Sequence, residues 1–145
     1  MLAISALALA ALFSGATVYV VIAEHPARRM LPPEAQLLQW KSSYAHAAVM
    51  QAGLAALAGL AGVAVWARWG ELFFLVGGLV MWGAIAYTFA VMWRLNSRLK
   101  GTPPEAAGAE TVAMLGRWGT LHAGRTLIGL AATALYAAGV YRALT

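Results

Sequence analysis

Four nearly unbroken apolar stretches, about 2–23, 44–66, 71–93 and 120–141, alternate with polar segments that hold almost all the charge of the chain. Each stretch is about 22 residues long and at 1.5 Å per helical residue covers roughly 33 Å, enough for a hydrocarbon layer about 30 Å thick. Such stretches must span as helices, because lipid offers no partner to open backbone N–H and C=O groups. The first stretch has no basic residues before it, runs past the length of a signal-peptide core, and is followed by Arg28 and Arg29. It is therefore predicted to remain as helix one.

Composition agrees with this pattern. A chain of 145 residues that is 62% hydrophobic and only 10% charged is an integral membrane protein of one domain, not a soluble one. The absence of cysteine removes disulfides, thiolate metal sites and thiol nucleophiles. Ten Lys and Arg against five acids give a net charge of +5, but the basic residues flank the apolar stretches and form no patch for nucleic acid. They read instead as orientation signals. Arg28, Arg29 and Lys41 follow helix one and Arg94, Arg98, Lys100 and Arg117 follow helix three, three plus four making seven, against Arg68 and Arg142 on the other side. The excess predicts a plasma-membrane (inner-membrane) protein with both long loops in the cytoplasm and both termini outside.

The two long loops resemble each other. Leu31-Pro32-Pro33-Glu34-Ala35 recurs as Thr102-Pro103-Pro104-Glu105-Ala106, and each is followed by a Trp (Trp40, Trp118) and a His (His46, His122) leading into the next span. This hints at a duplicated helical hairpin. Pro33 and Pro104, each followed by Glu, suit first helical turns. Leu37, Leu38, Lys41 and Tyr44, and later Val112, Leu115 and Trp118, predict short amphipathic helices on the inner surface. The expected fold is thus an all-α membrane protein, a four-helix transmembrane bundle with two long cytoplasmic loops carrying short amphipathic helices. Ala55 with Gly59 and Ala58 with Gly62 are small-xxx-small pairs, which serve close packing within a bundle or, alternatively, homo-oligomerisation.

With this topology, every helix brings polar groups to the same end. Glu24 and His25 end helix one, His46 opens helix two, Asn96 and Arg98 follow helix three, and His122 and Arg125 open helix four. Trp118, His122 and Arg125, spaced by four and three, share a helix face. A guanidinium one turn inside a span is costly unless paired, and Glu24 is the nearest acid on another helix, so a Glu24 to Arg125 ion pair is expected. Ser14, Thr17 and Glu24 are expected to form a polar stripe on helix one. Trp82, Tyr87 and Thr88 are expected to line a cavity beneath the ionisable cluster, suited to a flat hydrophobic molecule with one polar edge. Arg28, Arg29, Arg94 and Arg98 read as topology and lipid-phosphate residues. Three histidines on three helices, His25, His46 and His122, leave open a metal or haem site, although no spacing ties two ligands to one helix.

These residues also carry a resemblance. Glu24-His25-Pro26-Ala27-Arg28, Trp40 with Ser43-Tyr44, Tyr87-Thr88 followed by Asn96-x-Arg98-Leu99, and Trp118-x-x-Leu121-His122-x-x-Arg125-Thr126 resemble the anthrone oxygenase-like family of small four-helix membrane proteins. The resemblance covers nearly the full chain in order. It implies the four-helix fold, and for some relatives oxidation of anthrones to anthraquinones with molecular oxygen. By position it draws attention to Glu24, His25, Asn96, His122 and Arg125. A base, His122 or His25, would take an acidic carbon-bound hydrogen while Arg125 and Asn96 stabilise the enolate oxygen, and no bound cofactor is required. His46 is placed with Trp82, Tyr87 and Thr88 on the substrate side. Two other readings stay open: a non-catalytic membrane subunit or ligand-binding protein, and a His-ligated metal or haem protein. The expected partners are the lipid bilayer and a small hydrophobic molecule, with no nucleic acid.

Overall fold

The computed structural model describes residues 1–144, all but a few of them helical. Four helices are long and apolar enough to cross a membrane: α1 (Leu2–Arg28), α2 (Pro33–Trp69), α3 (Leu72–Gly101) and α4 (Ala109–Leu144). They form an up-and-down ring in which α1 and α3 each pack against both α2 and α4. The turn between α2 and α3 is as short as a chain reversal allows. Gly70 closes α2 at φ 75°, a left-handed conformation that costs glycine little, and donates its N–H to the Trp66 carbonyl at 2.7 Å.

The segments expected as separate surface helices are the first turns of α2 and α4. Pro33 opens α2, which runs on without a break through Leu37, Trp40 and Tyr44 into the apolar span. In the second half a short 3-10 turn, Pro104–Ala106, precedes α4, which starts at Ala109 and contains Leu115 and Trp118. Continuity leaves no unpaired backbone at the membrane surface, where a separate surface helix would expose two more sets of end groups. Leu37, Trp40, Leu99, Leu115 and Trp118 are buried together, so these turns cap the bundle instead of lying flat on lipid.

The two halves of the chain also share a helix pattern. In each half a helix of about 16 to 18 α-helical residues enters a five-residue π segment, Val20–Glu24 in α1 and Thr88–Met92 in α3. Each then resumes as α-helix before a Pro-Pro-Glu-Ala loop and a helix of 37 or 36 residues. A π insertion adds a residue to the turn, which rotates everything beyond it by about 100° relative to an uninterrupted α-helix. Both π segments lie toward the end that carries the two long loops.

Small residues let the helices approach at the other end. A Cβ on Gly77 would lie 2.6 Å from the Tyr136 ring, and one on Gly78 would lie 3.0 Å from the Gly59 carbonyl. Tyr136 fills this gap, stacked on Phe74 with ring centroids 5.2 Å apart and donating its hydroxyl to the Ala58 carbonyl at 2.7 Å. Gly59 and Gly62 therefore serve contacts inside one bundle. Ser14 and Thr17 are also used for packing. Ser14 shares a 2.8 Å hydroxyl hydrogen bond with Thr133 of α4, and Thr17 donates to the Ser14 carbonyl at 3.0 Å. The intervening π segment turns Glu24 away from their phase, so the three do not form the single stripe that a regular 3.6-residue pitch predicts.

Candidate functional site

At the long-loop end, just below the Trp40 and Trp118 cluster, the four helices part around a cavity of about 150 Å³. Both π segments border it: Val20 and Glu24 contribute from α1, and Thr88, Phe89 and Met92 from α3. From α2 come Ser43, Tyr44, Ala47, Ala48, Gln51 and Ala52, a face repeating at helical spacing. Asn96 lies beyond the second π segment, and α4 supplies Trp118, His122 and Arg125.

Trp118 organises the polar side. Its indole N–H donates to Asn96 Oδ1 at 3.0 Å, and its ring lies nearly parallel to that of His122, tilted by 20° with centroids 4.8 Å apart. The Arg28 guanidinium sits 5.5 Å from the centre of the Trp118 ring, and Trp40 meets that ring edge-on at 5.9 Å. The Asn96 oxygen accepts from Trp118, while its Nδ2 amide group is left without a protein partner. Both ring nitrogens of His122 and Nε of Arg125 are likewise buried without one. His122 is 2% exposed, Asn96 1% and Arg125 7%. Buried polar groups nearly always find partners, so three such side chains around one cavity mark a place for a polar ligand or water.

The expected ion pair is replaced by another. Glu24 accepts a 2.6 Å hydrogen bond from Arg28, four residues on in the same helix, and a 3.1 Å bond from Gln39 Nε2 of α2. Arg28 also donates to Gln39 Oε1 and, at 3.3 Å, to Ser43. Arg28 is thus no lipid-facing topology residue; it is 2% exposed and ties α1 to α2. The i, i+4 spacing of Glu24 and Arg28 is the signal for this pair, and it outweighs a more distant interhelical partner. Among the described residues no carboxylate pairs with Arg125. Its guanidinium lies 5.3 Å from the centre of the Phe13 ring, an attraction worth up to about 2 kcal/mol when desolvated. That is less than the roughly 2.5–3.5 kcal/mol cost of an arginine at mid-span. A reading in which Glu24 and Arg125 merely lock the bundle loses its contact.

The other residues anticipated for the site divide into those at the cavity and those away from it. Thr88 lines it, with its hydroxyl donating to the Ala84 carbonyl at 2.9 Å. Trp82 does not: it lies across Gly59 and donates to the Ala56 carbonyl at 3.3 Å, joining α3 to α2. Tyr87 packs beside Gly124 and donates to the Leu121 carbonyl at 3.1 Å, so it braces α3 against α4 behind the cavity. His25 lies over Gly119 with its ring 6.2 Å from Trp118, behind the cavity wall, and its buried Nδ1 has no partner. His46 is exposed on α2, its Nδ1 2.9 Å from the Ser42 carbonyl. The three histidines do not converge, and no group of three His, Cys, Asp or Glu among the described residues is placed to hold a metal ion. A metal ion held jointly by His25, His46 and His122 therefore has no ligand set among the described residues.

Gln51 is a polar cavity residue absent from the set expected from the sequence. It is buried, seven residues from Tyr44 on the same face, and is the lone amide in the alanine-rich run of α2. A polar side chain in the middle of such a run was the available signal.

A multi-pass membrane bundle with uncommitted polar groups around a mostly apolar cavity is the class that fold and site define. The sequence model of the family described as Anthrone oxygenase matches residues 40–135, which include Gln51, Asn96, Trp118, His122 and Arg125. The chain belongs to that family. No curated protein and no solved structure matches it.

Proposed function

We propose that this protein is an oxygenase for a flat aromatic ketone of the anthrone type, bound in the cavity at the long-loop end. The observation that carries this reading is the set of unsatisfied groups on His122, Asn96 and Arg125 around one mostly apolar cavity. Two of them, the Asn96 amide and the Arg125 guanidinium, are donors suited to an oxygen that gains negative charge. The third is an imidazole with one nitrogen free to accept a proton. Gln51 adds a further polar contact from α2.

The reaction needs these roles and molecular oxygen as oxidant. His122 takes a hydrogen, as a proton, from the ring carbon opposite the carbonyl, and the electron pair moves to the carbonyl oxygen held by Arg125 and Asn96. The resulting electron-rich carbon forms a bond to oxygen, and the proton held by His122 completes a hydroperoxide. Loss of water from that hydroperoxide, with the second carbon-bound hydrogen, leaves a second carbonyl. One oxygen molecule is consumed and one water released for each quinone formed. The excess of basic residues in the long loops supports placing this end in the cytoplasm, with both termini outside a plasma membrane.

The first step can be isolated by excluding oxygen. Purified protein in deuterated buffer should then speed exchange of the acidic hydrogens of anthrone above the spontaneous rate, and His122→Ala should remove that increment. Exchange at the background rate with the native protein would overturn the assignment of His122 as the base.

A further inference from the structure

The cavity walls are not equally covered. His122, Arg125, Trp118 and Val20, from α4 and α1, are buried, whereas the exposed lining residues are Ala52 of α2 and Phe89 and Trp93 of α3. The opening therefore lies along the seam between α2 and α3. On the α2 side it is bordered by alanines, Ala47, Ala48 and Ala52, which leave room where larger side chains would meet α3. On the α3 side Phe89 and Trp93 stand as an aromatic pair, ring centroids 5.5 Å apart, 60% and 51% exposed. Toward the loops the same seam is bridged. Lys100 Nζ lies 5.5 Å from the centre of the Trp93 ring on α3 and 5.8 Å from that of Tyr44 on α2. A cation held between two rings from opposite sides of the seam obstructs passage of an apolar molecule from the headgroup side.

We propose that the cavity is loaded sideways from the hydrocarbon layer, through a portal between Ala48 and Ala52 on one side and Phe89 on the other, with Lys100 closing the seam toward the loops. The occupant is a flat, membrane-dissolved aromatic ketone, so the identity of the molecule rests on the function proposed above, but the portal itself does not. A molecule taken from the bilayer reaches the donors of α4 with its polar edge leading and its apolar body still in lipid. Ala52, exposed at this opening, becomes the residue that limits the width of what enters.

The portal can be tested without turnover. The protein is reconstituted in phosphatidylcholine vesicles that include a phospholipid with a photoactivatable diazirine on its acyl chain, irradiated, and mapped by mass spectrometry. Lipid-exposed Leu57 and Leu60 of α2 serve as the internal reference for correct insertion. The portal predicts labelling of the buried cavity residues Met92 and Gln51, reduced at least five-fold relative to Leu57 and Leu60 in Ala52→Trp, and likewise in the milder Ala48→Leu. Labelling of Leu57 and Leu60 without Met92 or Gln51, or labelling of those two that neither variant reduces, would overturn it. Because the readout needs no reaction, a protein that labels as predicted yet fails to oxidise anthrone would keep the portal and sink the oxygenase reading.

Discussion

Trp118 Nε1 donates to Asn96 Oδ1 at 3.0 Å, and this one bond decides which half of the Asn96 carboxamide is left for the cavity. With its oxygen engaged by the indole, Asn96 presents its unpartnered amide hydrogens as donors, which suit an anionic oxygen. Trp118→Phe keeps the ring against His122 but removes the donor. We expect turnover to fall about two- to tenfold, in line with loss of one positioned hydrogen bond of about 0.5–1.5 kcal/mol. The variant also leaves Asn96 Oδ1 buried without its donor, so the melt should show a loss of about 1–3 kcal/mol in stability. Steady-state kinetics with a parallel thermal melt checks both parts.

Glu24 and Arg28 form a largely buried pair, so removing one partner should cost more than removing both. Glu24→Gln leaves the Arg28 cation buried with only neutral partners, and destabilisation of about 3–5 kcal/mol is expected. The double substitution Glu24→Gln with Arg28→Met should recover a substantial part of that loss. A double-mutant cycle on detergent-solubilised protein measures the coupling, and additive effects would contradict it. The exposed pair of Arg98 and Glu110 at 2.7 Å is the contrast, because replacing either should leave stability nearly unchanged.

Gly59 carries the Trp82 indole directly on its backbone, and any side chain there must displace the ring. Gly59→Ala should destabilise by about 1–3 kcal/mol, the usual cost of overpacking. Trp82→Leu in the same chain should restore most of it. Thermal unfolding of the three variants decides this. Trp82→Leu alone should leave substrate binding near the native value, since Trp82 packs between helices and does not face the cavity.

His46 and His122 both follow a loop tryptophan in the sequence, yet the structure separates their roles. His46→Ala is expected to keep native activity and stability, because the side chain is exposed and bonds only within its own helix turn. His122→Ala is expected to lose activity by at least a hundredfold while remaining folded. Equal losses for the two, measured by quinone formation, would point back to a shared histidine site.

Much of the fold was legible in the sequence because membrane helices are written in long runs with simple rules of length and charge. Four spans, their connection order and the shared end for the polar residues all follow from Leu-, Ala- and Val-rich runs bounded by arginines. The site was legible only in part, and the reason lies in the two π segments. Arranging Ser14, Thr17 and Glu24 on one stripe assumes a constant 3.6-residue pitch, and Val20–Glu24 breaks it. No residue type marks a π turn, so the phase of Glu24 and of Asn96 could not be read from spacing. Trp82 misled for a different reason. Expected at the cavity wall, Trp82 instead fills the slot that Gly59 leaves on the facing helix. His122 and Arg125 lie on a regular helix with no interruption nearby, and there the spacing rule placed both at the cavity.

Oxygen uptake by purified protein supplied with anthrone tests the central claim most directly. The native protein should consume one oxygen per quinone formed, and Arg125→Met, which keeps the bulk of the side chain but removes its charge, should slow turnover at least a hundredfold while remaining folded. Native turnover no faster than the protein-free solution, or an Arg125→Met variant as fast as the native protein, would contradict it.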